Sequence, residues 1–179
     1  MKLRISLSLL LSVVILLSMP LLFSGCSNKD IAAATSDIVS GAQSVVLAMK
    51  AAAPEGDPRL AKLQHFVDLA DKFQVDLAAA LTPDQQVQLL PTITVLLETF
   101  QTDVLPLLHV SVTVGIAIAG IDAGLRIVAN HFKNLSANAS TPVKVGARRA
   151  ARSAGIDVDA AKGVIDRYLA TPQVQKPKE

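Results

Sequence analysis

Apolar side chains recur every three to four residues along most of the chain after residue 30, which is the period of an amphipathic helix. The first apolar stripe begins at Ile31 and ends before Pro54. Two further stripes follow Asp57 and Thr82, each a capping residue with Pro directly after it, as is typical of helix starts. The apolar seam predicted for the second helix comprises Leu60, Leu63, Val67, Ala70, Phe73, Leu77 and Leu81.

A long apolar segment lies in the middle of the chain, where residues 104–121 carry no charged side chain. Large and small residues alternate over 110–118, which also fits a strand, but no second strand segment is present to pair with it. A helix that is apolar on all sides suits the centre of a bundle. The most buried stripe is predicted to contain Val114, Ile118, Ile121 and Leu125, and we expect a neighbouring helix to cross closely at Gly115 and Gly120.

The remaining pattern completes an all-α bundle of about five or six helices around this central helix, which is rich in small residues. Pro91 and Pro106 should kink or interrupt their helices, because proline lacks the backbone N–H and crowds the preceding turn. A polar linker at 136–141 precedes a short helix, and a last helix is capped by Asp157 or Asp159 and ends near Thr171.

The N-terminus has a basic start and then an apolar stretch, residues 5–23, as in export signals. The stretch ends in Leu22, Phe23, Ser24, Gly25 and Cys26, which resembles the lipobox of bacterial lipoprotein precursors. Small residues there precede an essential cysteine, and Phe23 departs from the usual leucine. The resemblance implies cleavage before Cys26 and attachment of a diacylglyceryl group to its sulfur. An uncleaved membrane anchor is the alternative, because the stretch is long enough to span a bilayer.

The predicted organisation follows from this resemblance. Residues 1–25 form the signal peptide, 26–29 a lipidated tether, 30–171 the helical bundle and 172–179 a flexible tail. Ser27 follows the cysteine; in lipoproteins of two-membrane bacteria an Asp there favours inner-membrane retention. Its absence implies the periplasmic face of the outer membrane, if the host has two membranes. The expected cofactor is none beyond the covalent lipid on Cys26.

Composition and charge narrow the classes of function. Residues 26–179 carry 15 basic and 15 acidic side chains, so the mature chain has no excess charge for binding polyanions, and export removes nucleic acid as a partner. One cysteine excludes a disulfide scaffold, and no nucleophile, phosphate-loop or dinucleotide motif occurs. His65 with Asp68 and Asp71 provides too few converging ligands to predict a metal site. His109 is expected in the core, and His131 near a helix end, where a cation is favourable.

One basic cluster stands out, formed by Lys144, Arg148, Arg149 and Arg152 at helical spacing. A solvated helix face is the first interpretation, since charge runs at this spacing usually face water. Contact with an anionic membrane surface or an acidic partner is the alternative.

These observations predict a lipoprotein of the cell envelope that is not an enzyme and serves as a binding or structural module for an envelope partner. The alternative is a membrane-inserting or self-assembling protein that uses residues 104–121, where small residues recur every four positions. An enzyme or metal binder built on dispersed His and Asp side chains is the third hypothesis.

Overall fold

The computed structural model describes residues 28–52, 54, 56–138, 155 and 157–175. These residues form six α-helices and no strand, which confirms the predicted all-α class. The helices are α1 (Asn28–Ala52), α2 (Pro58–Ala79), α3 (Pro83–Val87), α4 (Leu90–Thr99), α5 (Val112–Asn138) and α6 (Val158–Ala170). The predicted signal peptide lies outside the described residues.

Three of the helices, α2, α3 and α6, start at capping residues that the sequence indicates. The Asp57 carboxylate accepts a hydrogen bond from the Arg59 backbone N–H at 2.9 Å, ahead of Pro58. Thr82 and Gln85 form a reciprocal capping box at the start of α3. Of the two candidates for α6, Asp157 is the cap, because its carboxylate accepts from two backbone N–H groups of the first turn.

The uncharged run 104–121 was predicted to be helical, but it is not one continuous helix. A π-helical turn (Phe100–Val104) and a 3-10 turn (Leu105–His109) precede α5. Pro106 lies in the first turn of the 3-10 segment, where its missing N–H is not needed. The Ser111 hydroxyl then accepts from the Val114 backbone N–H at 3.2 Å and begins α5. The long apolar helix therefore starts eight residues later than the run.

Helix α5 is the central helix of the bundle and packs against α1, α3, α4 and α6. Val114, Ile118, Ile121 and Leu125 are at most 1% exposed, which confirms the predicted buried stripe. They belong to a single apolar core that includes side chains from all six helices. Phe100 connects two aromatic members of this core, because its ring lies 6.1 Å from Phe66 and 6.3 Å from Tyr168.

Helices α1 and α5 approach each other closely at Gly41 and Gly124. A Cβ atom on Gly124 would lie 2.8 Å from Ile38 Cγ1 and 3.0 Å from the Ala34 carbonyl oxygen, and one on Gly41 would lie 2.9 Å from Ile121 Cγ1. The expectation for Gly120 is wrong: it is exposed, and no atom lies within 4 Å of the corresponding Cβ position. Gly115 is buried, and the close crossing predicted there stays a prediction. The spacing identifies small residues but not which of them faces the neighbouring helix.

Two other side chains differ from their predicted environments, and one buried side chain was absent from the prediction. Leu81 ends the predicted seam of α2 but is 81% exposed, because it follows the helix end at Ala79. His109 is exposed rather than in the core. Phe66, which the seam omitted, is completely buried against Phe100.

Candidate functional site

The residues predicted to carry function lie outside the described part of the chain. They are Leu22, Phe23, Ser24, Gly25 and Cys26 of the lipobox and Lys144, Arg148, Arg149 and Arg152 of the basic cluster. The described helices show where the lipobox and the basic cluster connect to the bundle. Helix α1 begins at Asn28, two residues after Cys26, and α5 ends at Asn138, six residues before Lys144.

Both attachment points belong to the same end of the bundle. Gly41 of α1 lies beside Ala117 and Ile121 of α5, whereas Gly124 lies beside Ala34 and Ile38. Residue numbers therefore rise along one helix as they fall along the other, so the two helices are antiparallel. The start of α1 and the end of α5 meet at what we call the anchor end. The end of α1 and the start of α5 form the opposite, distal end.

A cleft of about 290 Å³ opens at the anchor end, between the start of α1 and the end of α2. Its lining residues are Ile31, Ala32, Thr35, Gln74, Leu77, Ala78, Ala80, Leu81 and Gln86. None of them is charged, and six of the nine are apolar. Leu81 is the most exposed of the large apolar side chains in the described residues.

The wall of the cleft is held in place by Gln86, a buried side chain of α3. Its amide nitrogen donates to the Ala80 carbonyl oxygen at 3.2 Å, and its amide oxygen lies 3.0 Å from His131 Nε2 on α5. Burial lowers the pKa of His131, so the neutral imidazole is favoured. His131 thus serves as a neutral hydrogen-bonding partner, whereas the sequence suggested a cation at a helix end.

The distal end carries three apolar side chains that are exposed on the surface of the bundle. Val110 and Val112 lie where α5 begins, and Ile116 follows one turn later, on the same face of the helix as Val112. These three side chains are 39%, 52% and 40% exposed. Neighbouring apolar side chains on a surface are typical of contact sites when they form a patch.

A buried polar network joins the middle of α5 to the C-terminal helix. The Asp122 carboxylate is 1% exposed and accepts hydrogen bonds from the Tyr168 hydroxyl at 2.6 Å, Arg126 Nε at 2.9 Å and the Val174 backbone N–H at 3.0 Å. Arg126 Nη2 donates to the carbonyl oxygens of Thr171 and Pro172, at 2.9 Å and 3.0 Å, just after the end of α6. The beginning of the predicted flexible tail is therefore hydrogen-bonded to α5.

The hydrogen bonds of this network hold α5 and α6 together. Burial, followed by the hydrogen bond to Asp122, raises the pKa of the Tyr168 phenol, so the hydroxyl remains a donor. Arg126 lies 5.3 Å from the centre of the Tyr168 ring, which adds a cation–π contact. Sequence reasoning missed this network because its members are more than 40 residues apart; the only local indication is the spacing of Asp122 and Arg126 by four.

Two further features bear on the alternative functions. Among the described residues, no three His, Cys, Asp or Glu side chains are grouped so that they could hold a metal ion. Two helical segments, Lys29–Ala52 and Val112–Leu135, are long and apolar enough to cross a membrane, with mean hydropathies of 1.3 and 1.8. A mostly buried core helix meets the same criteria.

Comparison with known proteins found no matching protein-family model, no matching curated protein and no matching solved structure.

Proposed function

We propose that this protein is a lipoprotein of the bacterial cell envelope, held at the membrane through Cys26, whose helical bundle is a non-enzymatic binding or structural module. The observation that carries the proposal is the lipobox-like run 22–26, which ends the apolar N-terminal stretch at Cys26; α1 begins two residues later, at Asn28. With so short a tether, a lipid on Cys26 would hold the anchor end of the bundle directly at the membrane surface.

The length of α1 supports a role in presenting a surface away from the membrane. The helix has 25 residues, which at about 1.5 Å per residue separates its ends by about 37 Å. The distal end, with the exposed Val110, Val112 and Ile116, would then be the part offered to an envelope partner. A stable anchor needs more than one acyl chain, because a single chain binds a bilayer only marginally.

Metabolic labelling of the full chain tests the anchor. Cells supplied with labelled palmitate should produce a labelled, processed protein, and Cys26→Ser should leave an unlabelled precursor because a hydroxyl is a much weaker nucleophile than a thiolate. The neighbouring variant Ser27→Ala should keep the label. Label in the Cys26→Ser variant would contradict the proposal.

A membrane-inserted form is the second candidate, favoured by the two apolar helical segments Lys29–Ala52 and Val112–Leu135. Asp122 weighs against it, because its carboxylate is paired within the bundle and a charged group at the centre of a bilayer is costly.

Cysteine accessibility in membranes separates the two forms. Ile116→Cys introduces a thiol at an exposed position of α5, and Asp84→Cys introduces one at an exposed position of α3. If the bundle lies outside the bilayer, both thiols should react with a membrane-impermeant maleimide on the accessible face of the membrane. Protection of the thiol at position 116 alone would favour insertion of α5.

A further inference from the structure

The cleft at the anchor end has the surface chemistry of a site for hydrocarbon. The two buried polar side chains in its wall already have protein partners: the Thr35 hydroxyl donates to the Ala32 carbonyl oxygen at 2.9 Å, and Gln86 bonds to Ala80 and His131. The lining contains no charged group. A polar ligand would gain little there, whereas an apolar chain would cover Ile31 and the exposed Leu81.

The cleft is large enough to hold part of one acyl chain. Its volume of about 290 Å³ is close to the lower bound, roughly 300 Å³, of small-ligand sites. It is open on one side, so a longer ligand can extend beyond it.

Cys26 is close enough for its own lipid to reach this cleft. Two residues of extended chain span at most about 7 Å, and the helix rises about 4.5 Å from Asn28 to Ile31. An acyl chain in a bilayer spans one leaflet, which is half of a hydrocarbon core about 30 Å thick. The chain is therefore longer than the gap between its attachment point and the cleft.

We propose that the cleft between the start of α1 and the end of α2 binds one of the hydrocarbon chains attached to Cys26. This inference rests on the lipidation of Cys26 under the proposed function. When an acyl chain moves from the bilayer into the cleft, it exchanges one apolar environment for another. Little free energy therefore drives it into the cleft while the lipid is inserted in the bilayer. Outside the bilayer the alternative is water, and the cleft then shields the chain.

Photocrosslinking with the lipidated full chain tests the site. Cells are supplied with a fatty acid that carries a diazirine, and the labelled protein is purified in detergent. One sample is irradiated after dilution below the micelle concentration, and a second after reconstitution into phosphatidylcholine vesicles. Mass spectrometry should find crosslinks to Ile31, Leu77 or Leu81 in the diluted sample and a marked loss of them in vesicles.

Two adjacent positions of α2 provide a matched pair of variants. Ala78 lines the cleft and Ala79 does not, although both are exposed. Ala78→Trp should fill the cleft and abolish the crosslinks, whereas Ala79→Trp should retain them. Circular dichroism should show the same helix content for both variants. Equal crosslinking in the two variants would overturn the inference.

The remaining outcomes separate this inference from the proposed function. A label attached to Cys26 without crosslinks to the cleft in either sample would reject the site and leave the lipoprotein proposal intact. Absence of label from Cys26 would reject both. Crosslinks to the same cleft residues in Cys26→Ser would show that a free membrane lipid is the occupant and would overturn the assignment to the protein's own chain.

Discussion

The Tyr168 hydroxyl donates a 2.6 Å hydrogen bond to the Asp122 carboxylate, across 46 residues of sequence and in the interior of the bundle. This bond ties the C-terminal helix α6 to the central helix α5. Because Arg126 and the Val174 backbone N–H bond to the same carboxylate, the charge on Asp122 is compensated where water does not reach it. The network thus closes the bundle on the side of α5 that faces α6.

Removal of the phenol hydroxyl should weaken this closure. Tyr168→Phe retains the ring contact with Phe100 and deletes only the bond to the carboxylate. Hydrogen bonds to charged groups contribute about 1.5–3 kcal/mol, so we expect the free energy of unfolding to fall by roughly that amount. Urea unfolding measures it. Asp166→Asn, which affects a solvent-exposed ion pair with Lys133, should change stability little. An unchanged stability in Tyr168→Phe would mean that the hydroxyl is not bonded in solution.

Gly120 and Gly124 of α5 should respond in opposite directions to the same substitution. Gly120→Ala places a methyl group in open space and removes a helix-disfavouring residue, so stability should rise by up to about 1 kcal/mol. Gly124→Ala places the same group against Ile38 and the Ala34 carbonyl, and overpacking of this kind costs about 1–3 kcal/mol. Thermal unfolding of both variants checks the difference. Destabilisation by Gly120→Ala would place a neighbouring helix where none is described.

Mild acid should destabilise the protein through His131. Burial lowers the pKa of this imidazole in the folded state, whereas the unfolded chain has the usual value of about 6.5. Above that pH the imidazole is neutral in both the folded and the unfolded state, and the free energy of unfolding is not reduced by this group. As the pH falls below it, the unfolded chain binds a proton first, so stability decreases until the lower, folded-state pKa is passed.

Urea unfolding between pH 7.5 and pH 5.5 measures this dependence. His131→Gln should reduce the slope, because an amide keeps the capacity to bond to Gln86 but does not titrate. The control His65→Gln, at an exposed position of α2, should retain the slope of the unmodified protein. If His131→Gln leaves the slope unchanged, another group causes the acid sensitivity.

The basic cluster is expected to act as a solvated face. Replacing Lys144, Arg148, Arg149 and Arg152 together with Gln should therefore change stability by no more than about 0.5 kcal/mol per residue and leave association with anionic vesicles unchanged. Co-sedimentation with vesicles at low salt measures the association. A large loss that disappears as salt is raised would instead show contact with lipid headgroups, consistent with the attachment of this segment at the anchor end.

Local sequence patterns predicted the helices well because their causes are local. Apolar spacing correctly identified Val114 and Leu125 as buried, since a helical period assigns each residue to one side of its own helix. Asp57 and Thr82 were recognisable as caps because a cap bonds to backbone only two or three residues ahead. The exposure of Leu81 was missed, since a periodic pattern does not show by itself where the helix ends.

The sequence by itself therefore determined the helical class, the starts of α2 and α3 and the buried stripe of the central helix. Tertiary structure alone decided that Gly124 rather than Gly120 meets α1, because both have the spacing and only the direction of the neighbouring helix distinguishes them. It also decided the bonds of Asp122 with Tyr168 and of Gln86 with His131, since partners more than 40 residues apart meet only when the helices pack. The cleft beside the start of α1 arises in the same way, from the meeting of two helix ends that no local pattern records.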